Sequence, residues 1–313
     1  MTVLEQQSAT AVAIDNILFA TDFSEASEAA LPYAAAISAR YGSQIHLTHV
    51  LPEVTFLRPG VPDPAVIGST YEDARSGTRE KMRRLARRLK DYSHSTYVRH
   101  GEIARVVSDL VREQEIDLVV AGTHGRTGLG RLIMGSVAEE ILCQAPCPVL
   151  TVGPNVVGAT VRNLAHRDRE GSPCPAEIHD ILYATDFNHP SNEAITRAIS
   201  LAREFNARLG LLHVIDDYGD RLHEQPGPID AALRDLRELI PEDAGLVYAP
   251  EALAQFGVPA ESILQTAAER ETDLIILDTR PASGNLRATT RLGSGVAHRI
   301  IVGANCPVLT VRS

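Results

Sequence analysis

A seven-residue block, Ile17-Leu-Phe-Ala-Thr-Asp-Phe23, returns as Ile181-Leu-Tyr-Ala-Thr-Asp-Phe187 with one conservative change. The same offset carries His49-Val50 onto His213-Val214. Further on, Asp117-Leu-Val-Val120 matches Asp273-Leu-Ile-Ile276, and Cys147-Pro-Val-Leu-Thr-Val152 is repeated unchanged as Cys306-Pro-Val-Leu-Thr-Val311. Matched blocks in matched order mean a duplicated domain. A chain of 313 residues divides into two units of about 150 residues, each large enough to bury its own core. The expected division is a first domain over 1–153, a linker over 154–176 and a second domain over 177–313. The linker contains Arg167-Asp-Arg-Glu-Gly171 and Pro173-Cys-Pro175, a polar and Pro-rich composition.

Within the first copy, short β-rich runs alternate with long helical ones. Strands are expected at 16–21, 44–50, 96–99, 117–121 and 148–152. Helices are expected at 25–40, 71–90, 103–114 and 136–144. Alternation of this kind implies an α/β fold, a parallel sheet with helices on both faces. Pro52 to Ser69 is long and Pro/Gly-rich for a βα connection, and reads as a flap or interface arm.

The formal net charge of −10 argues against nonspecific nucleic-acid binding. No apolar run approaches the roughly 20 residues of a membrane span, and Met1 to Ala13 lacks the pattern of a signal peptide, so a cytoplasmic address is expected. Cys143, Cys147, Cys174 and Cys306 are then expected as free thiols, without a metal. The basic run Arg79 to Lys90 carries Met82, Leu85 and Leu89 at helical spacing, which makes those three a core stripe and the arginines a solvated face.

The segment Gly122-Thr-His-Gly-Arg-Thr-Gly-Leu-Gly-Arg-Leu-Ile-Met-Gly-Ser136 follows a strand and opens a helix. Gly122 and Gly125 allow the backbone to approach a ligand closely or to take positive φ. Gly135-Ser136 stands where the helix begins, where unbonded N–H groups and the helix dipole favour phosphate. Ser136 and Glu139 have capping-box spacing, and Arg126 and Arg131 offer charge-assisted bonds. The segment is neither a P-loop nor a dinucleotide fingerprint.

The spacing Gly122-x2-Gly125-x9-Gly135-Ser136 resembles the ATP-binding signature of the universal stress protein (UspA-like) family. Ala20-Thr-Asp-Phe-Ser24 and Pro146-Cys-Pro-Val-Leu150 resemble it too. The likeness covers nearly the whole chain, twice, as in tandem members. It implies two doubly wound domains, each a five-stranded parallel sheet in the order 3-2-1-4-5, with the ligand crevice where the order reverses. It also implies that Ala20, Thr21 and Asp22 line the adenine end, with Val50 flanking the base. Ala121, Gly122, His124 and Gly125 then approach the ribose and first phosphates, and Gly135, Ser136, Val137 and Ala138 hold the outer phosphates. The closing strands of the two domains are expected to pair as an intramolecular pseudo-dimer, which covers an exposed edge; a further homodimer and the protein partner stay open.

The second copy keeps Asp186 but has Asp278 and Pro281 in place of the first two glycines. A carboxylate opposes phosphate and proline removes a donor, so this copy is expected to be degenerate, with Arg280, Arg287 or Arg291 serving another anion as the alternative. The expected function is a stress-response protein that binds ATP (or ADP or AMP, with or without Mg²⁺) as a regulatory ligand, with slow or no hydrolysis. No carboxylate pair or base stands ready for water in the first copy. The competing readings are a slow ATPase or adenylyl-transfer enzyme using His124 and Ser136, and a scaffold that binds no nucleotide.

Overall fold

The computed structural model describes residues 12–51, 64–123, 134–156, 172–187, 193–216, 227–279 and 295–312. The N-terminal half runs β1 (Asn16–Ala20), α1 (Glu25–Tyr41), β2 (Gln44–Leu51), α2 (Pro64–Arg88), β3 (His94–His100), α3 (Ile103–Glu113), β4 (Leu118–Gly122), α4 (Ser136–Gln144) and β5 (Val149–Val152). The C-terminal half repeats the series as β6 (Asp180–Thr185), α5 (Glu193–Phe205), β7 (Arg208–Asp216), α6 (Gly227–Glu238), β8 (Glu251–Gly257), α7 (Pro259–Glu269), β9 (Leu274–Thr279), α8 (Val296–Gly303) and β10 (Val308–Arg312).

All ten strands form one sheet in the order β3-β2-β1-β4-β5-β10-β9-β6-β7-β8. Each half has the expected order and is parallel throughout. The halves meet where β5 and β10 run antiparallel, with Val308 opposite Thr151 and Thr310 opposite Val149. Thr151 Oγ1 donates to the Val308 carbonyl at 3.1 Å and Thr310 Oγ1 to that of Val149 at 3.2 Å. Two edges that would each expose unpaired backbone groups thereby close on one another.

The junction is also sealed at the helix ends. Asn155 Nδ2 donates to the Gly303 carbonyl at 3.0 Å, at the end of α8, and Arg312 donates to the Cys143 carbonyl near the end of α4. Each half thus satisfies a terminal carbonyl of the other's last helix. Gly153 is glycine because a Cβ there would lie 2.7 Å from the Ile301 carbonyl oxygen.

The apolar core lies in two layers that run through both halves. One packs α1, α2, α5 and α6 on the sheet through Phe19, Leu31, Leu47, Ile181, Leu201 and Leu236. The other packs α3, α4, α7 and α8 through Leu18, Leu110, Ile141, Leu182, Ile263 and Ile300. The repeated aspartates have a structural duty. Asp117 Oδ2 accepts from the amides of Asp15 and Asn16 at 2.8 and 2.9 Å, and Asp273 Oδ2 from those of His179 and Asp180 at 2.8 and 3.0 Å. Each fixes the entry of its domain's first strand beside the fourth.

Most boundaries fall within two residues of expectation, and the start of α2 departs furthest. α2 starts at Pro64, inside the stretch read as a flap, because proline is well tolerated in a first helical turn, where its missing N–H costs nothing. Residues 52–63 and 157–171 lie outside the described residues. Met82, Leu85 and Leu89 are 1%, 6% and 0% exposed, which makes them the core stripe of α2 and the turn that follows it.

Candidate functional site

β1 turns one edge to β2 and the other to β4, so the chain leaves the sheet in opposite directions beyond Ala20 and Gly122. A cavity of about 250 Å³ opens between these strand ends. Ala20, Thr21 and Asp22 line it from β1, Val50 from the end of β2, and Ala121 and Gly122 from β4. Gly135, Ser136, Val137 and Ala138 line it from the start of α4. Ten of the twelve predicted site residues therefore surround one space; His124 and Gly125 lie outside the described residues, as do Arg126 and Arg131. Ser27, Thr48, His49, Ile103, Val107, Thr123 and Ile141 also line it without having been singled out as site residues.

The turn after β1 is held by its own polar side chains. Thr21 Oγ1 accepts from the Phe23 amide at 3.0 Å, and Asp22 Oδ1 from the Ser24 amide at 3.0 Å. Asp22 is not the cap of α1; Ser24 is, accepting from the Ser27 amide at 3.3 Å. Phe23 takes a left-handed φ of 61°, and its ring packs 4.6 Å from that of His49. His49 donates through Nδ1 to the Thr21 carbonyl at 2.7 Å.

The second copy rebuilds this turn. Phe187 has φ 56°, Thr185 Oγ1 accepts from its amide at 3.1 Å, and His213 donates through Nδ1 to the Thr185 carbonyl at 2.9 Å. Retention in both halves marks the histidine as a brace of the turn.

The start of α4 departs from the capping box expected at Ser136. Gly135 is the N-cap, extended at φ −65° and ψ 141°, with no side-chain cap, and its carbonyl accepts the first helical bond from the Glu139 amide at 3.0 Å. Ser136 is the first helical residue. A glycine cap leaves the amides of Ser136, Val137 and Ala138 without intrahelical acceptors, at the positive end of the helix dipole and on the cavity wall.

Gly122 does not take positive φ, and packing by itself demands glycine there. A Cβ there would lie 2.6 Å from the Ala26 carbonyl carbon and 2.8 Å from the Ser27 amide. The glycine lets the first turn of α1 close onto the end of β4, which shapes the crevice from behind.

In the C-terminal half the sheet register fixes the equivalent positions. Ala121 stands opposite Ala20, and Leu277 opposite Ala184. Thr48 stands opposite Ala20 on the other side, and Leu212 opposite Ala184. Leu277 and Leu212 are 5% and 1% exposed, so larger aliphatic groups occupy places that alanine and threonine leave open in the first half. Asp278 follows where Gly122 stands. Counted back from the C-caps Ala145 and Ala304, the N-cap Gly295 takes the place of Ser136, so the first-turn hydroxyl is absent. Arg280, Pro281, Arg287 and Arg291 lie outside the described residues.

Two of the thiols offer little nucleophile. Burial pushes Cys147 and Cys306 up to about 12, and all four cysteines are unbridged. Among the described residues no three His, Cys, Asp or Glu side chains gather as a metal-ligand set, and no helix is long and apolar enough to cross a membrane.

The family model described as the universal stress protein family matches residues 13–153 and again 177–312. The chain belongs to the universal stress protein family. A universal stress protein of Mycolicibacterium smegmatis is 25% identical, with 95% of this chain and 96% of the relative aligned. One from Methanocaldococcus jannaschii is 29% identical over 139 residues, 44% of this chain and 80% of its own length. A universal stress protein from Archaeoglobus fulgidus, known from its crystal structure, superposes with a TM-score of 0.66 at 18% identity, covering 96% of this chain and 97% of its own. That likeness is one of fold.

Proposed function

We propose that this universal stress protein binds one ATP per chain, in the crevice beyond β1 and β4 of its N-terminal domain, as a regulatory ligand. The observation that carries the reading is the layout of the cavity. Three amides of α4 without intrahelical acceptors line the same space as Asp22 and Val50. The Asp22 carboxylate accepts from the adenine amino group, and Val50 packs on the base. Ala121 and Gly122 lie along the ribose and first phosphates, together with His124 and Gly125. The amides of Ser136, Val137 and Ala138, with the Ser136 hydroxyl, take the outer phosphates, and any Mg²⁺ arrives with them.

Hydrolysis is slow or absent in this reading. General-base catalysis needs a group placed to take a proton from the attacking water, and Asp22, the one carboxylate among the described residues that line the crevice, serves the adenine end in this reading. The C-terminal domain is degenerate, since Leu277 and Leu212 fill its crevice and Asp278 opposes phosphate. The domain boundaries at 153 and 177, a cytoplasmic address and an unidentified protein partner complete the proposal.

Equilibrium binding of ATP, ADP, AMP and cAMP to the full chain, with and without Mg²⁺, tests it. The expected result is one ATP per chain and, at one hundred times Kd, about 2.7 kcal/mol of added stability. No stabilisation by any nucleotide leaves the scaffold reading standing. Several turnovers per second would make the protein an ATPase instead.

A further inference from the structure

A second cavity, of about 650 Å³, opens on the other face of the turn after β1, between α1 and α2. Thr21 and Phe23 border it, and its charged lining is Lys81, Arg84, Arg87 and Arg88 against Glu28 and Glu80. The wall is net positive in a chain of formal charge −10.

Arg84 and Arg87 both lean on Glu80, at 3.4 and 3.9 Å, together with Arg83 at 3.5 Å, so one carboxylate faces three guanidinium groups. Their side chains are 68% to 72% exposed, and water accounts for them. It does not account for Arg88. That side chain is 13% exposed, its Nη1 reaches Glu28 at 3.4 Å, and its Nε is buried without an acceptor. A guanidinium carries five donors in a planar fork, and a buried donor left unmade is costly. Lys81 adds a cation that rests 5.5 Å over the Phe23 ring and has no carboxylate partner among the described residues.

We infer that this cavity is a second ligand site, which takes a small phosphate-bearing anion on Arg88, with Lys81 and Arg84 at its rim. Arg88 has donors beyond the Nη1 contact to Glu28 to give to a phosphate oxygen. Four cations against two carboxylates select a multiply charged anion over a single carboxylate. The site is separate from the crevice beyond β4, which lies on the opposite face of the sheet and, among the described residues, shares only Thr21 with it.

Calorimetric titration of the full chain with inorganic pyrophosphate, in saturating ATP and without Mg²⁺, tests the assignment. Pyrophosphate is expected to bind with ATP present. Arg88→Gln and the exposed Lys81→Gln should each weaken it by about tenfold, the scale of a charge-assisted contact. A chain carrying Ala121→Leu, titrated without ATP, should bind pyrophosphate as the wild type does. No binding, binding that survives both substitutions on α2, or binding that Ala121→Leu removes would each overturn the inference, the last by placing the anion in the crevice.

Discussion

Ala121 and Leu277 hold one position in two copies of the same sheet, opposite Ala20 and Ala184 respectively. The exchange puts an isobutyl group in place of a methyl on a crevice wall. Ala121→Leu is therefore expected to remove the rise in melting temperature that ATP produces. Overpacking costs about 1–3 kcal/mol, and the C-terminal half shows that the frame accommodates leucine. The reverse substitution, Leu277→Ala, should cost about 3 kcal/mol by opening a cavity without conferring ATP binding, because Asp278 stays and the Ser136 counterpart is glycine. Urea titrations with and without ATP separate the two effects; an Ala121→Leu chain that binds ATP normally would remove the crevice from consideration.

Gly122→Ala tests the close approach of α1. The added Cβ meets main-chain atoms of Ala26 and Ser27, which have no rotamer to give. The ligand-free protein should lose about 1–3 kcal/mol and bind ATP more weakly as the crevice shifts. An unchanged melting temperature without ligand would mean that something other than packing calls for glycine there.

These two positions show how far the sequence carries. Repetition and alternating periodicity made the two α/β domains legible, and the strand order followed from the likeness of the Gly122 to Ser136 spacing to a known signature. The motif also drew ten residues to one cavity. What it hid depends on which way a side chain points. Ala121 and Leu277 are both apolar strand residues, and only the register shows that they face a crevice. Val107 and Ile141 are indistinguishable in sequence from core positions of amphipathic helices. Gly122 looked like a ligand-approach glycine because the helix pressing on it comes from nearly a hundred residues earlier. Gly135 as the cap of α4, in place of Ser136, turned on one extended dihedral pair.

The far end of the sheet carries a coupled exchange. In the first half His46 Nε2 pairs with Asn16 Oδ1 at 3.1 Å. In the second, Gly210 replaces the histidine, and a Cβ there would lie 2.9 Å from the Arg270 guanidinium carbon. That guanidinium binds Asp180, the counterpart of Asn16, at 2.9 Å, and also Glu251. Asp180 is 1% exposed. Arg270→Gln should thus cost about 3 kcal/mol, since it strips the main partner from a buried carboxylate. Adding Asp180→Asn should recover a large part of the loss. Chemical denaturation of the single and double variants measures the coupling, and purely additive costs would contradict it.

The first half's version of this site makes stability depend on pH. His46 is 4% exposed, stacks 5.7 Å from the Tyr97 ring, and has Nδ1 buried with no partner. Its Nε2 donates to Asn16, so protonation would place a second N–H, and a charge, where nothing accepts it. Burial accordingly holds its pKa below the ordinary 6.5. The unfolded chain takes up this proton near 6.5 while the folded chain resists it, so the unfolded state binds more protons as pH falls. Stability from this residue is complete above 6.5, declines as pH drops below that value, and levels off beneath the folded pKa. His46→Gln removes the titration and should flatten that part of the decline. Urea midpoints for both chains between pH 7.5 and 5 check it; parallel curves would assign the acid sensitivity to other groups.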